Sequence, residues 1–268
     1  MKNAMFVLGA VDPEMRAIES LLRAQQVRFE YARVGGKRVY PANAYQAGLP
    51  EAARALLKAG GRVYAVECID RLPAGVTRID HHRPGDPGYS RPPAEYWAAS
   101  SFGQTVAALG EACGASLRIS AEMRMIAAAD HCLGAAYQGE CPGIDPAALI
   151  RWHITARARY EQRPETEVQA DVEATRQTLR DCPRIELAPG IYAADVRGQP
   201  VAELLLAAAR DGQCCLSAIT ARDGRTKIGC LVGSPVQVSA FMQSWAPTHH
   251  LVDIYGDSIR GYAGAYVP

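Results

Sequence analysis

What this chain most lacks is an excess of charge of either sign. Its 268 residues hold 29 Lys and Arg against 28 Asp and Glu, a formal net charge of +1. A protein that binds nucleic acid chiefly by neutralising phosphates carries a basic surplus. The composition therefore speaks against nucleic acid as the main partner, although a small basic pocket fits inside such a balance. Long hydrophobic runs are also missing. Charged and polar residues and prolines interrupt every apolar run, and no stretch approaches the roughly 20 apolar residues of a membrane span. The opening MKNAMFVLGAVDPEM has an apolar core of about five residues, below the roughly 7 to 15 of a secretory signal. A cytoplasmic protein is the expectation. The eight cysteines (68, 113, 132, 141, 182, 214, 215 and 230) form no C-x-x-C pair, which leaves no zinc ribbon or thioredoxin motif to read. In a reducing compartment they are expected to be small buried residues. Neither G-x-x-x-x-G-K-[ST] nor G-x-G-x-x-G occurs, so nothing points to an ATPase or a dinucleotide enzyme.

What is present is ample material for a core. With 49% hydrophobic residues, the chain fits one large or two modest domains. The run AMFVLG (4–9) reads as a buried strand. Asp12 suits a helix N-cap and Pro13 the first helical position, with Met15, Ile18, Leu21 and Leu22 at helical spacing. Further strands are expected at 28–34, 63–67 and 77–80, and helices at 49–60, 94–113 and 120–136. Alternating strands and helices predict an α/β fold with a mostly parallel sheet, whose carboxyl edge is the usual ligand crevice. From Pro146 to Asp181 the chain is helical and heavily charged, broken at Pro164. Beyond it CLSAIT, a turn at Asp223-Gly224 and KIGCLVG predict a hairpin. Ser234-Pro235 opens a helix, and LVDIYG and GYAGAYV close the chain as strands. The division expected is a parallel-sheet domain over 1–155, a charged helical connector over 156–184 and a smaller C-terminal α/β domain over 185–268.

Acids and histidines gather where the strands should end: Asp12 and Glu14, Glu67 with Asp70, Asp80-His81-His82, and Asp130-His131. Brought together by a sheet, such groups form a ligand set for divalent ions, which drive displacement at phosphorus. Each also has a plainer reading. Asp12 and Glu14 suit a helix N-terminus, Glu67 suits a solvated strand end, and His131 suits a structural role. Asp130, in the apolar stretch MIAAADHCLGAAY, needs a partner because an unpaired buried charge is costly. Ser100 and Ser101 at a loop-to-helix junction suit either an anion site or a cap. His249, His250 and Arg260 are candidates for substrate selection.

The segment IDHHRPGD (79–86) resembles the signature of the DHH phosphoesterase superfamily. GAVDPEMRAI (9–18) lies without gaps along that family's G-H-x-N-P-D-x-D-A-I motif. VYAVE and AAADHCLGAAY are similar to its second and fourth motifs, and GYAGAYV to its glycine-rich C-terminal segment. The resemblance covers residues 1 to 140 most clearly. It implies a DHH-like domain with a smaller domain closing over the site, and hydrolysis of a small phosphorylated molecule with Mn²⁺ or Mg²⁺.

The departures from that pattern matter. The resemblance implies one metal site from positions 10, 14 and 67, and a second from 16, 67, 81 and 130. Here Ala10 replaces a histidine, Glu14 and Glu67 replace aspartates, and Arg16 replaces an aspartate. A guanidinium about 5 Å from a divalent ion repels it by several kcal/mol even at an effective dielectric near 20, and it cannot deprotonate. One ion at most is therefore expected, held by Glu67, His81 and Asp130. Glu14 would orient it, and Arg16, His82 and Arg83 would grip phosphate. Two other readings stand beside this one. In the first, Arg16 with Glu14 and Glu67 binds an anionic small molecule and does metal-free acid–base chemistry. In the second, Arg16 pairs with Glu14 or Glu67 in a decayed site that only binds a ligand. The sequence leaves a homo-oligomer open.

Overall fold

A computed structural model describes residues 3–114, 117–221 and 224–268, apart from the side chain of Cys113. Part of the turn expected at Asp223-Gly224 lies outside the described residues. The chain divides into two compact units, one of Met1–Arg91 with Glu95–His131 and one of Pro92–Ala94 with Cys132–Pro268.

The first unit opens with β1 (Ala4–Leu8), α1 (Pro13–Ala24), β2 (Arg28–Tyr31), and the short hairpin β3 (Arg33–Val34) and β4 (Lys37–Arg38). It continues with α2 (Glu51–Lys58), β5 (Arg62–Val66), β6 (Val76–Ile79), the single turn α3 (Tyr96–Ala99), α4 (Ser101–Cys113) and α5 (Ala121–Tyr137). Its sheet is parallel, in the order β2-β1-β5-β6. All five residues of β1 are buried, because both faces of the sheet are covered. Phe6 and Leu8 meet Met15, Ile18, Leu22, Phe102 and Leu109 on one face. Met5 and Val7 meet Leu49, Ala53, Val63 and Ala65 on the other. Each fully buried Phe, Leu, Ile, Met or Val among them contributes about 1.5 to 3 kcal/mol.

Two expected elements differ in detail. The helix expected over 94–113 is two pieces, because Ser100 is extended and caps α4 with its side chain. The helix expected over 120–136 keeps its span but carries a non-helical residue, Cys132.

The second unit takes the end of α5 from Cys132, then α6 (Pro146–Glu161), α7 (Glu165–Asp181), β7 (Arg184–Ala188), β8 (Ile191–Asp195) and α8 (Leu204–Asp211). After these come β9 (Cys215–Thr220), β10 (Thr226–Leu231), α9 (Pro235–Ala240) with a wide π turn over Phe241–Trp245, α10 (Ala246–Thr248), β11 (Val252–Asp257) and β12 (Tyr262–Tyr266). Its six-stranded sheet runs β11-β12-β10-β9-β8-β7 and is antiparallel except between β8 and β9. Ser234 opens α9 with a full capping box, and Phe241 and Trp245 stack in the core behind it. α7 buries Val168, Val172, Thr175 and Leu179, while its charged face pairs Arg176 with Asp211 at 2.5 Å. The molecule is thus α/β, with a parallel four-stranded sheet and a separate six-stranded one. The seven described cysteines are buried free thiols. Among the described residues, no helix is long and apolar enough to cross a membrane.

Candidate metal centre

Strand register builds the site. Leu8 pairs with Val66, and Val66 with Ile79, so Gly9, Glu67 and Asp80 leave the sheet side by side at its carboxyl edge. At that edge α1 begins, with Asp12 accepting from the Met15 backbone N–H at 2.7 Å. Glu14, one turn in, points inward. Its Oε1 accepts from the Phe102 N–H at the start of α4 (2.9 Å), while its Oε2 is buried with no hydrogen-bond partner.

Glu67 holds a left-handed backbone, φ 50°, which costs a residue with a Cβ about 1 to 2 kcal/mol. The bend turns its side chain back over the sheet edge, and its Oε1 is buried with no hydrogen-bond partner. Gly9 packs so close that a Cβ there would lie 2.4 Å from the Glu67 carbonyl oxygen. Asp80 is fully buried and shapes the DHH turn. It accepts from the backbone N–H groups of His81 (2.8 Å) and His82 (3.1 Å), from the His82 ring (3.0 Å) and from the Tyr45 hydroxyl (3.0 Å).

One ligand-type atom from each of Glu14, Glu67, His81 and Asp130 lies within 4.8 Å of the other three. Around an octahedral ion with bonds of about 2.1 Å, opposite ligands stand about 4.2 Å apart, so the set is the size of one ion's shell. A second grouping joins Glu67, His81 and His82.

The protonation of His81 follows from its neighbours. A carbonyl oxygen can only accept, so His131 Nε2, 3.0 Å from the Arg91 carbonyl, carries a hydrogen. In a neutral ring His131 Nδ1 is then an acceptor, and it faces His81 Nδ1 at 3.1 Å. His81 Nδ1 is then the donor; in a neutral His81 ring Nε2 holds a lone pair, and in a protonated one it is a second donor. That nitrogen lies 3.0 Å from Asp130 Oδ2 and 3.6 Å from Glu67 Oε1. Lone pair against carboxylate is repulsive unless a cation or a proton stands between them.

The electrostatics agree. Burial pushes the Glu14 carboxyl well above its usual range, and the charges of Asp130, Glu67 and Asp12 add to it. Burial likewise pushes Glu67 up to about 8, partly offset by His82 and reinforced by Asp12 and Asp130. Asp12 rises to about 6, from burial first and then from Asp130. Asp80 is the exception: burial works to raise it, but hydrogen bonds from His82 and Tyr45 prevail and hold it below its ordinary value. The cluster is short of positive charge. The buried Glu14 and Glu67 oxygens without partners and one imidazole nitrogen beside them fit a divalent, oxygen-preferring cation.

Of the candidates read from the sequence, the fold gathers Glu14, Glu67, His81 and Asp130, with His82 beside them. Arg16 is exposed on α1, and its charge acts on the Tyr31 phenol. Arg83 lies over the Tyr45 ring (3.4 Å to the centroid) and pairs with Asp70 at 2.9 Å. Ser100 accepts from the Gly103 N–H as the N-cap of α4, and Ser101 is buried with no hydrogen-bond partner for its hydroxyl. In the second unit His249 donates to the Trp245 carbonyl at 2.8 Å, His250 is exposed, and Arg260 lies over Tyr262.

Sequence reasoning missed Tyr45, which sits in a short 3-10 turn, Ala44–Gln46, with no motif to mark it. It also left the orienting role of His131 unread, because that role exists only through its ring contact with His81.

No protein-family model and no curated protein matches the chain. Among solved structures it is similar to the pGpG-specific phosphodiesterase PggH from Vibrio cholerae at 11% identity and a TM-score of 0.38. That alignment covers 98% of this chain and 92% of the other. A likeness of that size carries no argument for activity.

Proposed function

We propose that this protein is a DHH-type hydrolase of a small phosphorylated molecule, a phosphoester or phosphoanhydride, working with a single Mn²⁺ or Mg²⁺. The observation that carries the reading is the convergence of His81 with carboxylate oxygens of Glu14, Glu67 and Asp130, ligand atoms within 4.8 Å of one another, a geometry that a bound cation satisfies. Glu67, His81 and Asp130 would hold the ion, with Glu14 reaching it through the oxygen that Phe102 leaves unused. When bound, such an ion polarises a phosphoryl oxygen and acidifies water.

The chain's own groups do the rest. Asp80 takes a hydrogen bond from His82 Nδ1, which holds the ring so that its outer nitrogen can exchange a proton with a phosphate oxygen or a leaving group. His82 is partly exposed while His81 is fully buried, which suits one ring to the substrate and the other to the ion. Arg83, stacked on Tyr45, supplies a planar donor for phosphate.

The test is Mn²⁺ binding by calorimetry together with turnover of inorganic pyrophosphate, a phosphomonoester and a phosphodiester. Wild type should bind about one equivalent and hydrolyse at least one of these substrates. H81A and D130N should lose binding and at least about 100-fold in rate, consistent with removal of a metal or its principal ligand. Turnover that persists in EDTA and in H81A would overturn the reading in favour of metal-free chemistry.

A further inference from the structure

A hollow of about 480 Å³ opens along β2, the edge strand of the parallel sheet. Arg23, Arg28, Arg33 and Arg38 line it, with Glu30 as the acid among them. Between Arg28 and Arg38 the sequence sets four cations (with Lys37) against one carboxylate, in a chain whose total charge is +1. Overall neutrality therefore hides a local basic patch.

The patch is partly preorganised. The Arg23 guanidinium lies 4.9 Å from the Phe29 ring centroid, and that of Arg38 4.2 Å from Tyr31. Aromatic faces hold such groups by cation–π attraction. Glu19 grips Arg23 at 2.6 Å and takes the Tyr31 hydroxyl at 2.7 Å, while Arg33 bonds the Gly36 carbonyl at 2.7 Å. Planar donors held in position recognise phosphate oxygens bidentately. Four arginines and one acid, Glu30, line the hollow; even with Glu19 holding Arg23, the remaining positive charge exceeds the single charge of one phosphodiester, so a row of phosphates suits it better than one.

We infer that the hollow along β2 binds a linear polyphosphorylated backbone, as carried by a short single-stranded oligonucleotide or an inorganic polyphosphate chain. The site is separate from the Glu67–His81–Asp130 cluster, and the inference does not rest on the hydrolytic reading.

Fluorescence anisotropy with a labelled single-stranded RNA of about ten nucleotides, in EDTA to suppress turnover, tests this. Binding should weaken with salt, log K against log salt having a slope of about −2 to −3 for three or four neutralised phosphates. The exposed pair R28E/R33E should weaken it at least tenfold. R54E/K58E on α2 makes the same change in net charge elsewhere on this unit and should leave binding nearly intact. Unlabelled inorganic polyphosphate that displaces the probe at equal phosphate concentration supports the backbone as ligand. Displacement by oligonucleotide alone also supports the site and shows that bases contribute, as in stacking on Phe29. Wild-type affinity in folded R28E/R33E, equal loss in R54E/K58E, or equal displacement by polyglutamate overturns the inference.

Discussion

At the scale of single residues, the centre depends on a relay that starts from a backbone oxygen. The Arg91 carbonyl takes the hydrogen of His131 Nε2, His131 Nδ1 takes that of His81 Nδ1, and His81 Nε2 is thereby directed at the acids. Partners that orient a ligating imidazole commonly change metal affinity by 10- to 100-fold. H131L should weaken Mn²⁺ binding within about that range. H131N, whose Oδ1 can take the place of Nδ1 as the acceptor from His81, should recover part of the loss. Equal affinity in wild type and folded H131L would show that His131 only fills space. The DHH triplet was legible as a sequence. The role of its neighbour at 131 was not, because adjacency along a helix does not reveal which ring nitrogen meets which partner.

At the scale of elements, the decisive feature is the close passage of β1 and β5 as they leave the sheet. The opening strand and helix were plain from the apolar run, the Asp12 cap and Pro13, all of which act locally. That Gly9 must stay small was not, because the atom it would strike belongs to Glu67, far along the chain. Placing a methyl 2.4 Å from the Glu67 carbonyl forces a backbone shift, and overpacking of this kind costs about 1 to 3 kcal/mol. The shift falls on the strained residue that offers its carboxylate to the centre. G9A is therefore expected to lower the melting temperature and to weaken Mn²⁺ binding together, followed by calorimetry on the folded fraction. A loss of stability with unchanged metal affinity would separate the packing role from the site.

Across the whole molecule, the raised carboxyls make stability depend on pH and on metal together. Glu67 is raised from an ordinary 4.5 to about 8, and Asp12 from 3.8 to about 6. The folded state keeps protons that the unfolded chain has released. These groups' contribution is therefore full below pH 4 and is lost as pH rises through 6 to 8. Asp80, lowered in the fold, acts in the opposite sense and favours folding above its ordinary value. Metal-free protein should melt lower at pH 8 than at pH 5. Mn²⁺ should restore stability at pH 8 by about 2.7 kcal/mol at a hundred times its dissociation constant, and should do little at pH 5, where protons compete. A melting temperature unchanged between pH 5 and 8 in EDTA, or an equal Mn²⁺ shift in D130N, would contradict this account.

The sequence by itself determined the α/β class, the strand–cap–helix opening and the acids at strand ends, because period, capping and turn chemistry are local. It also marked Glu14, Glu67, His81 and Asp130 by their resemblance to one set of motifs. Only the tertiary structure decided that these four share one small volume and that Arg16 is exposed on α1. It also decided that four arginines from α1, β2 and its following hairpin line one hollow. Sheet register and helix facing set which distant side chains meet, and a neutral composition carries no record of where its charges gather.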